Sequence, residues 1–205
     1  MKKMIPFWEE AYQNDNIMAF PIEPNNTLKE FEHLLSKDAA VLEAGCGEGQ
    51  NVLYLAKQGF QNIDAFDISE AGIAKLKRLC EFNSVNINAF VKDLANYEFE
   101  KNYDLVMSFA TLCFLEKSVW RQFIANAKEN TNIGGIHIMH IFTDKVPASP
   151  DIAPFAIGLA YDGEFNELYN DWEILSFQSY TFEDEHPGVP KHLHAVNKIV
   201  AKKVK

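Results

Sequence analysis

Cysteine is scarce in this chain and arginine scarcer. The three cysteines, Cys46, Cys80 and Cys113, are odd in number and have no paired spacing, which argues against a disulfide framework and suits a reducing compartment. Arg78 and Arg121 are the only arginines among 19 basic residues, and 29 acidic residues leave a net charge of −10. Such a balance repels phosphate backbones and anionic lipid. The one dense basic run, Lys198, Lys202, Lys203 and Lys205, reads as a solvated strand end. No nucleic-acid partner and no membrane partner are therefore expected. Long apolar runs of about 18 residues, as a membrane span requires, do not occur. Met1-Lys2-Lys3 leads into Pro6, Trp8, Glu9 and Glu10 instead of an apolar stretch, so no signal peptide and a cytoplasmic location are expected. Internal repeats and low-complexity segments are lacking too.

What is present is an ordinary globular composition, 47% apolar and 23% charged over 205 residues, enough to bury a full core without a disulfide or structural metal. One domain spanning 1–205 is expected. Short apolar runs at 39–43, 62–68, 88–91, 103–109 and 136–142 read as strands. Amphipathic stretches at 51–57, from Ser69 onward, and at 118–129 read as the helices between them. Strands separated by helices imply a doubly wound, Rossmann-like α/β domain with a mostly parallel sheet. The tail departs from that rhythm. A Pro-rich stretch at 147–154 and a short helix at 164–169 precede extended segments at 172–180 and 192–203, joined by a connection at 181–191. These two pair most simply as an antiparallel hairpin on the sheet edge. Residues 1–38 read as a helical cap carrying Trp8, Tyr12 and Phe20, residues 39–142 as a ligand-binding core, and 143–205 as an insert plus the final hairpin.

The most informative stretch is Glu43-Ala44-Gly45-Cys46-Gly47-Glu48-Gly49, where three alternate glycines lie between a strand and a helix. Such a turn can be tight and lets a ligand approach the backbone at a helix N-terminus. A dinucleotide-binding G-x-G-x-x-G would need glycine at position 50, which is Gln50 here, and Glu43 would lie beside a pyrophosphate's negative charge. The same carboxylate is well placed for an ammonium group, so a cationic amino-acid ligand is favoured over NAD. Asp67, at the end of the second strand, suits both hydroxyls of a ribose. Asp93 and Leu94, after the third strand, suit the amino edge and the face of an adenine.

The run Val41 to Asn51 (VLEAGCGEGQN), with Asp67-Ile68, Asp93-Leu94 and Tyr103-Asp104-Leu105-Val106, resembles the class I S-adenosylmethionine-dependent methyltransferases over roughly residues 35–142. The resemblance implies a seven-stranded sheet whose last two strands form the hairpin, S-adenosyl-L-methionine as cofactor and S-adenosyl-L-homocysteine as product. It also implies a glycine loop (Gly45, Cys46, Gly47, with Glu43 and Asn51) lining the methionine part, Asp67 and Ile68 at the ribose, Asp93 and Leu94 at the adenine, and Ser108-Phe109-Ala110 facing the transferred methyl. Three further segments are similar to the TehB-type tellurite-resistance methyltransferases: Asn51 to Ala56, Ile68 to Gly72, and Glu164-Phe165 through Leu175. So is a histidine in the last hairpin, His186. In that subfamily arginines follow the histidine, whereas this chain carries Pro187 and then Lys191, His192 and His194.

Transfer of a methyl from a sulfonium is an in-line displacement that depends mainly on orientation and exclusion of water, and a soft nucleophile needs little more. His186 is the expected substrate-facing residue, with His192 and His194 as further candidate bases and Lys191 as an anion contact. His192 and His194 share a strand face, as two metal ligands would, with Asp184 or Glu185 able to complete a site. No cysteine pair accompanies them, so they are read as solvent-facing and no metal is expected. His137 and His140 read as satisfied core groups, His33 as a surface residue, Cys46 as a packed thiol and Asp104 as structural. Trp8 and Tyr12 either close over the cofactor or anchor the N-terminal helix. The expected acceptor is a small thiol or chalcogen oxyanion, with small-molecule N- or O-methylation, a non-catalytic S-adenosylmethionine-binding module and an NAD-dependent oxidoreductase as alternatives. A monomer or homodimer is expected.

Overall fold

A computed structural model of the chain describes residues 5–14, 16–19, 23–186 and 189–205, with the side chains of residues 186 and 189 left out. Phe20, expected in the cap, lies outside these residues. The described chain forms a seven-stranded sheet in the order β3-β2-β1-β4-β5-β7-β6. The strands are β1 (Ala40–Ala44), β2 (Asn62–Asp67), β3 (Asn88–Val91), β4 (Tyr103–Phe109), β5 (Thr131–Phe142), β6 (Glu173–His186) and β7 (Val189–Lys202). The helices are α1 (Phe7–Tyr12), α2 (Asn26–Phe31), α3 (Gln50–Lys57), α4 (Glu70–Asn83), α5 (Lys117–Glu129) and α6 (Glu164–Leu168). β1 pairs parallel with β2, and β2 with β3. β7 is antiparallel to both β5 and β6. This is the Rossmann-like sheet with a C-terminal antiparallel hairpin that the sequence pattern predicts.

The chain divides into two compact units, residues 1–98 with 103–106, and residues 99–102 with 107–205. The first holds α1 to α4, β1 to β3 and the first four residues of β4. Its parallel strands are buried on both faces: Val41, Leu42, Ala44, Ala65 and Phe66 are closed to solvent. Ser69 begins α4 by accepting a hydrogen bond from Gly72 N at 3.0 Å, satisfying one of the free donors of the first turn. Asp104 accepts from Ala40 N at 2.8 Å, the structural role expected of it.

The second unit packs Trp120, Ile124, Phe165 and Tyr169 at its centre, where Trp120 Nε1 donates to Gly158 O at 2.8 Å. His137 is fully buried between Thr131 Oγ1 at 2.8 Å and Tyr169 Oη at 2.7 Å. Burial pushes its pKa down to about 3, so it is a neutral core group. Two boundaries differ from expectation. β5 begins at Thr131 and runs through Gly134-Gly135, and residues 181–186 and 189–191, expected as part of a connection, continue both hairpin strands, with Asp184 opposite His192.

Candidate active site

β1 runs straight into the glycine turn. Gly45 N and Cys46 N both donate to Phe66 O, at 2.8 and 3.0 Å, which fastens the turn to the end of β2. Gly47 takes φ of +54°, and a Cβ there would lie 2.3 Å from Tyr12 Oη. Gly49 takes φ of +86° at the start of α3, and a Cβ there would meet Leu76 of α4 at 2.3 Å. Only glycine allows the turn, the α1 tyrosine and α4 to approach so closely. Cys46 is buried and its thiol pKa is pushed well up by burial, so it is a packed, protonated thiol.

Glu43 precedes the turn and is 1% exposed. Its Oε1 accepts from Asn51 Nδ2 at 2.7 Å, while Oε2 has no hydrogen-bond partner among the described residues. Burial, which outweighs the Asn51 hydrogen bond, raises the carboxyl pKa to about 8. A cationic group delivered to Oε2 would restore the charged form, which is the requirement an amino-acid ammonium meets. Asn51 spends both ends of its amide, Oδ1 accepting from Asn25 N at 2.8 Å, and so holds Glu43 in place.

Asp67 closes β2. Its Oδ2 accepts from Gly47 N at 2.8 Å and its Oδ1 from Ser69 N at 2.9 Å, leaving a second lone pair on each oxygen for a ligand hydroxyl. Burial raises its pKa against the pull of those backbone donors. Ile68 beside it is 68% exposed, an apolar surface at the strand end. Asp93 lies two residues beyond β3, where it accepts from Ala95 N at 2.9 Å and caps a short 3-10 turn whose first residue, Leu94, is buried. Tyr12, Glu43, Gly45, Cys46, Gly47, Asn51 and Asp67 thus form one connected cluster within the first unit.

One part of this cluster went unread in the sequence. Glu48 and Lys75 form a buried ion pair at 2.7 Å, their side chains 0% and 3% exposed. Lys75 Nζ also donates to Ala11 O at 3.3 Å, Asn14 O at 3.1 Å and Ile17 O, and Glu48 Oε1 accepts from Ala19 N at 2.7 Å. The pair therefore ties the segment after α1 to the glycine turn and to α4. A lysine three residues after Gly72, on the flank of α4's apolar stripe, was the available signal.

In the second unit, Ser108 is fully buried and Phe109 meets His140 edge-on at 4.8 Å. Ala110 follows with φ of +55°, a strained conformation for a residue with a Cβ, held by its N–H donating to His140 O at 3.0 Å. His186 ends β6 opposite Val189, and its side chain lies outside the described set. Lys191 is exposed, pairs with Glu183 at 2.5 Å, and by strand alternation leaves the opposite face of β7 from His192. His192 and His194 do share a face. Contrary to expectation they do not face solvent: their side chains are 7% and 3% exposed. The turn that follows Pro147 covers them and brings Asp151, rather than Glu185 or Asp184, into the group of potential metal ligands. Among the described residues no helix is long and apolar enough to cross a membrane.

The family described as tellurite resistance protein TehB matches residues 24–186. The probable S-adenosyl-L-methionine-dependent methyltransferase TehB of Haemophilus influenzae is 34% identical over 139 residues, 67% of this chain and 47% of that protein. The crystal structure of TehB from the same organism superposes with a TM-score of 0.77 at 28% identity, covering 87% of this chain and 62% of that one. A S-adenosylmethionine-dependent methyltransferase from Methanosarcina mazei shares the fold, with a TM-score of 0.68 at 18% identity over 89% of this chain and 99% of its own. The chain spans about half the length of the curated relatives it matches. With the glycine turn, Glu43 and Asp67 inside the matched span, the chain belongs to the TehB family.

Proposed function

We propose that this chain transfers a methyl group from S-adenosyl-L-methionine to a small molecule, releasing S-adenosyl-L-homocysteine, and that the acceptor is a thiol or a chalcogen oxyanion of the tellurite or selenite kind. The observation that carries the cofactor assignment is Glu43: a buried carboxyl with one oxygen fixed by Asn51 and the other awaiting a partner, beside a glycine turn that a backbone-hugging ligand can reach. Fitted to that cofactor, Glu43 takes its ammonium, Asp67 and Ile68 its ribose, and Asp93 and Leu94 its adenine. Tyr12 excludes water over Gly47. When bound, the cofactor supplies an electrophilic methyl on a sulfonium. Ser108 and Phe109 are assigned to the acceptor side, with His186 as the proton acceptor.

In this reading the chain works as one domain, residues 1–38 forming the cap, 39–142 the cofactor core and 143–205 the substrate-side insert and hairpin. A thiolate or reduced chalcogen is already nucleophilic near neutral pH, so alignment carries most of the rate. The test is thermal unfolding with S-adenosylhomocysteine or NADH. Saturation at about 100 times Kd adds roughly 2.7 kcal/mol, a rise of about 5 to 10 °C in Tm for a chain of this size. A rise with the homocysteine compound alone supports the cofactor, and no rise refutes it. Consumption of S-adenosylmethionine with thiols, tellurite or selenite then tests the acceptor. Binding without consumption for any acceptor would make the chain a binding module instead.

A further inference from the structure

Away from the glycine turn, the second unit brings two imidazoles and one carboxylate together under cover. Asp151, His192 and His194 each offer a ligand atom, and these atoms all lie within 4.8 Å of one another. The histidines are alternate residues of β7, so the pleat sends both to one face. Asp151 comes from the turn after Pro150, shaped by Ile152 N and Ala153 N donating to Ser149 O at 3.1 and 2.8 Å. The three side chains are 7%, 3% and 2% exposed for His192, His194 and Asp151. His194 is further fixed by stacking on Phe142, with ring centroids 4.6 Å apart, and by Phe182 at 5.5 Å.

The outer hydrogen bonds decide the tautomers. His192 Nδ1 lies 2.8 Å from Pro190 O, and a carbonyl only accepts, so the proton sits on Nδ1. The Ser149 hydroxyl donates to Asp151 Oδ1, so its oxygen is left to accept from His194 Nδ1 at 3.3 Å. With Nδ1 turned outward on both rings, both Nε2 atoms point inward. These two nitrogens are 3.0 Å apart. Asp151 Oδ1 lies 3.4 Å from His192 Nε2, and Oδ2 lies 3.8 Å from His194 Nε2. Two imidazole nitrogens and a carboxylate converging under cover are a donor set suited to a cation. The spacing of the two nitrogens fits one, since metal–nitrogen bonds of about 2.0 to 2.1 Å place ligand atoms about 3.3 Å apart in a tetrahedron and about 3.0 Å apart at adjacent corners of an octahedron, and the carboxylate has only to close by about half an ångström on His194.

We propose that Asp151, His192 and His194 bind a divalent first-row transition cation, with Pro190 O and Ser149 Oγ holding the two imidazoles in the ligating tautomer. Outer partners of this kind are the usual companions of metal-bound histidines. Three protein ligands leave coordination positions open, the pattern of a reactive centre rather than a closed structural one. An open position would take a thiolate or an anionic chalcogen and keep it deprotonated. That use rests on the methyl-transfer reading, whereas the metal site itself does not.

The experiment uses the full, untagged chain, stripped with a chelator and titrated with Zn²⁺ against a chromophoric chelator, with metal content measured after dialysis. One zinc per chain is expected, and Co²⁺ in its place should give visible d–d bands. His192→Gln and Asp151→Asn should each weaken Zn²⁺ binding by about tenfold or more, while the surface variant His33→Gln keeps it. Circular dichroism confirms folding, and Ser149→Ala, which leaves all three ligands in place, should weaken binding less than either. A folded wild-type chain that takes up no zinc would overturn the site, because the two imidazoles would then share only a proton. So would zinc binding that His192→Gln and Asp151→Asn leave unchanged. Neither readout involves methyl transfer, so failure of the catalytic reading and failure of the metal site remain distinguishable.

Discussion

Glu43→Gln separates a buried acid from its charge. The wild-type carboxyl is raised from its ordinary 4.5 to about 8, chiefly by burial, so the folded protein holds a proton there that the unfolded chain has lost. Between those two values the native state binds more protons than the unfolded state, and stability falls as pH rises. Each unit of pKa difference is worth about 1.4 kcal/mol, and integrating from pH 5.5 to 7.5 gives a loss of about 2.5 kcal/mol from this residue. Glutamine keeps the volume and can still accept from Asn51 Nδ2, but does not titrate. Urea unfolding at the two pH values should therefore show the variant gaining about 2.5 kcal/mol on the wild type between them, other titrating groups cancelling in the comparison. Binding should move the opposite way. A ligand ammonium needs the carboxylate, so wild-type affinity for S-adenosylhomocysteine should climb toward pH 8 by up to about tenfold per unit, with release of about one proton, and the variant's should stay flat. Parallel stability profiles for the two proteins would refute the raised pKa. Parallel affinity profiles would refute the contact with the ligand's ammonium.

Lys75→Met leaves the Glu48 carboxylate buried without its cation and should cost about 3 to 5 kcal/mol by urea unfolding, with faster proteolysis around residues 7–19; adding Glu48→Gln should recover part of the loss. Gly47→Ala puts a Cβ into left-handed backbone, at about 1 to 2 kcal/mol, and 2.3 Å from Tyr12 Oη. It should lower Tm and weaken S-adenosylhomocysteine, and Tyr12→Phe in the same chain should relieve the steric part. His137 is held neutral down to about pH 3, so its contribution to stability is lost as pH falls from about 6.5, by up to about 1.4 kcal/mol per unit. His137→Gln should make the acid limb of the unfolding profile shallower, and an unchanged limb would contradict the buried neutral state.

Local signals carried the reading where one segment settles its own structure. Residues 88–91 and 103–109 are strands with the bounds their apolar runs predict, and the glycine turn is where three alternate glycines between a strand and a helix place it. Residues 181–186 misled because Glu183, Asp184 and Glu185 have the composition of a loop. An antiparallel edge hairpin can carry such polar residues on an open face and still complete its ladder. Gly134-Gly135 likewise reads as a stop, yet Gly134 N donates to Lys203 O at 2.8 Å and β5 passes through.

Contacts set by tertiary folding left no periodic trace. Glu48 and Lys75 are a loop residue and a helix residue 27 positions apart, and the lysine on the flank of α4's apolar stripe does not say which carboxylate it meets. The same holds for the hairpin histidines. Alternation along β7 puts His192 and His194 on one face, but whether that face is wet depends on where residues 147–154 lie, and a Pro-rich turn does not disclose its destination. Solvated histidines would be two independent bases. Covered by Asp151 and Ser149, with both Nδ1 atoms committed outward, they form the single unit proposed to hold a cation, built from two segments together. The least legible part of the sequence is thus the part on which the proposed cation site depends.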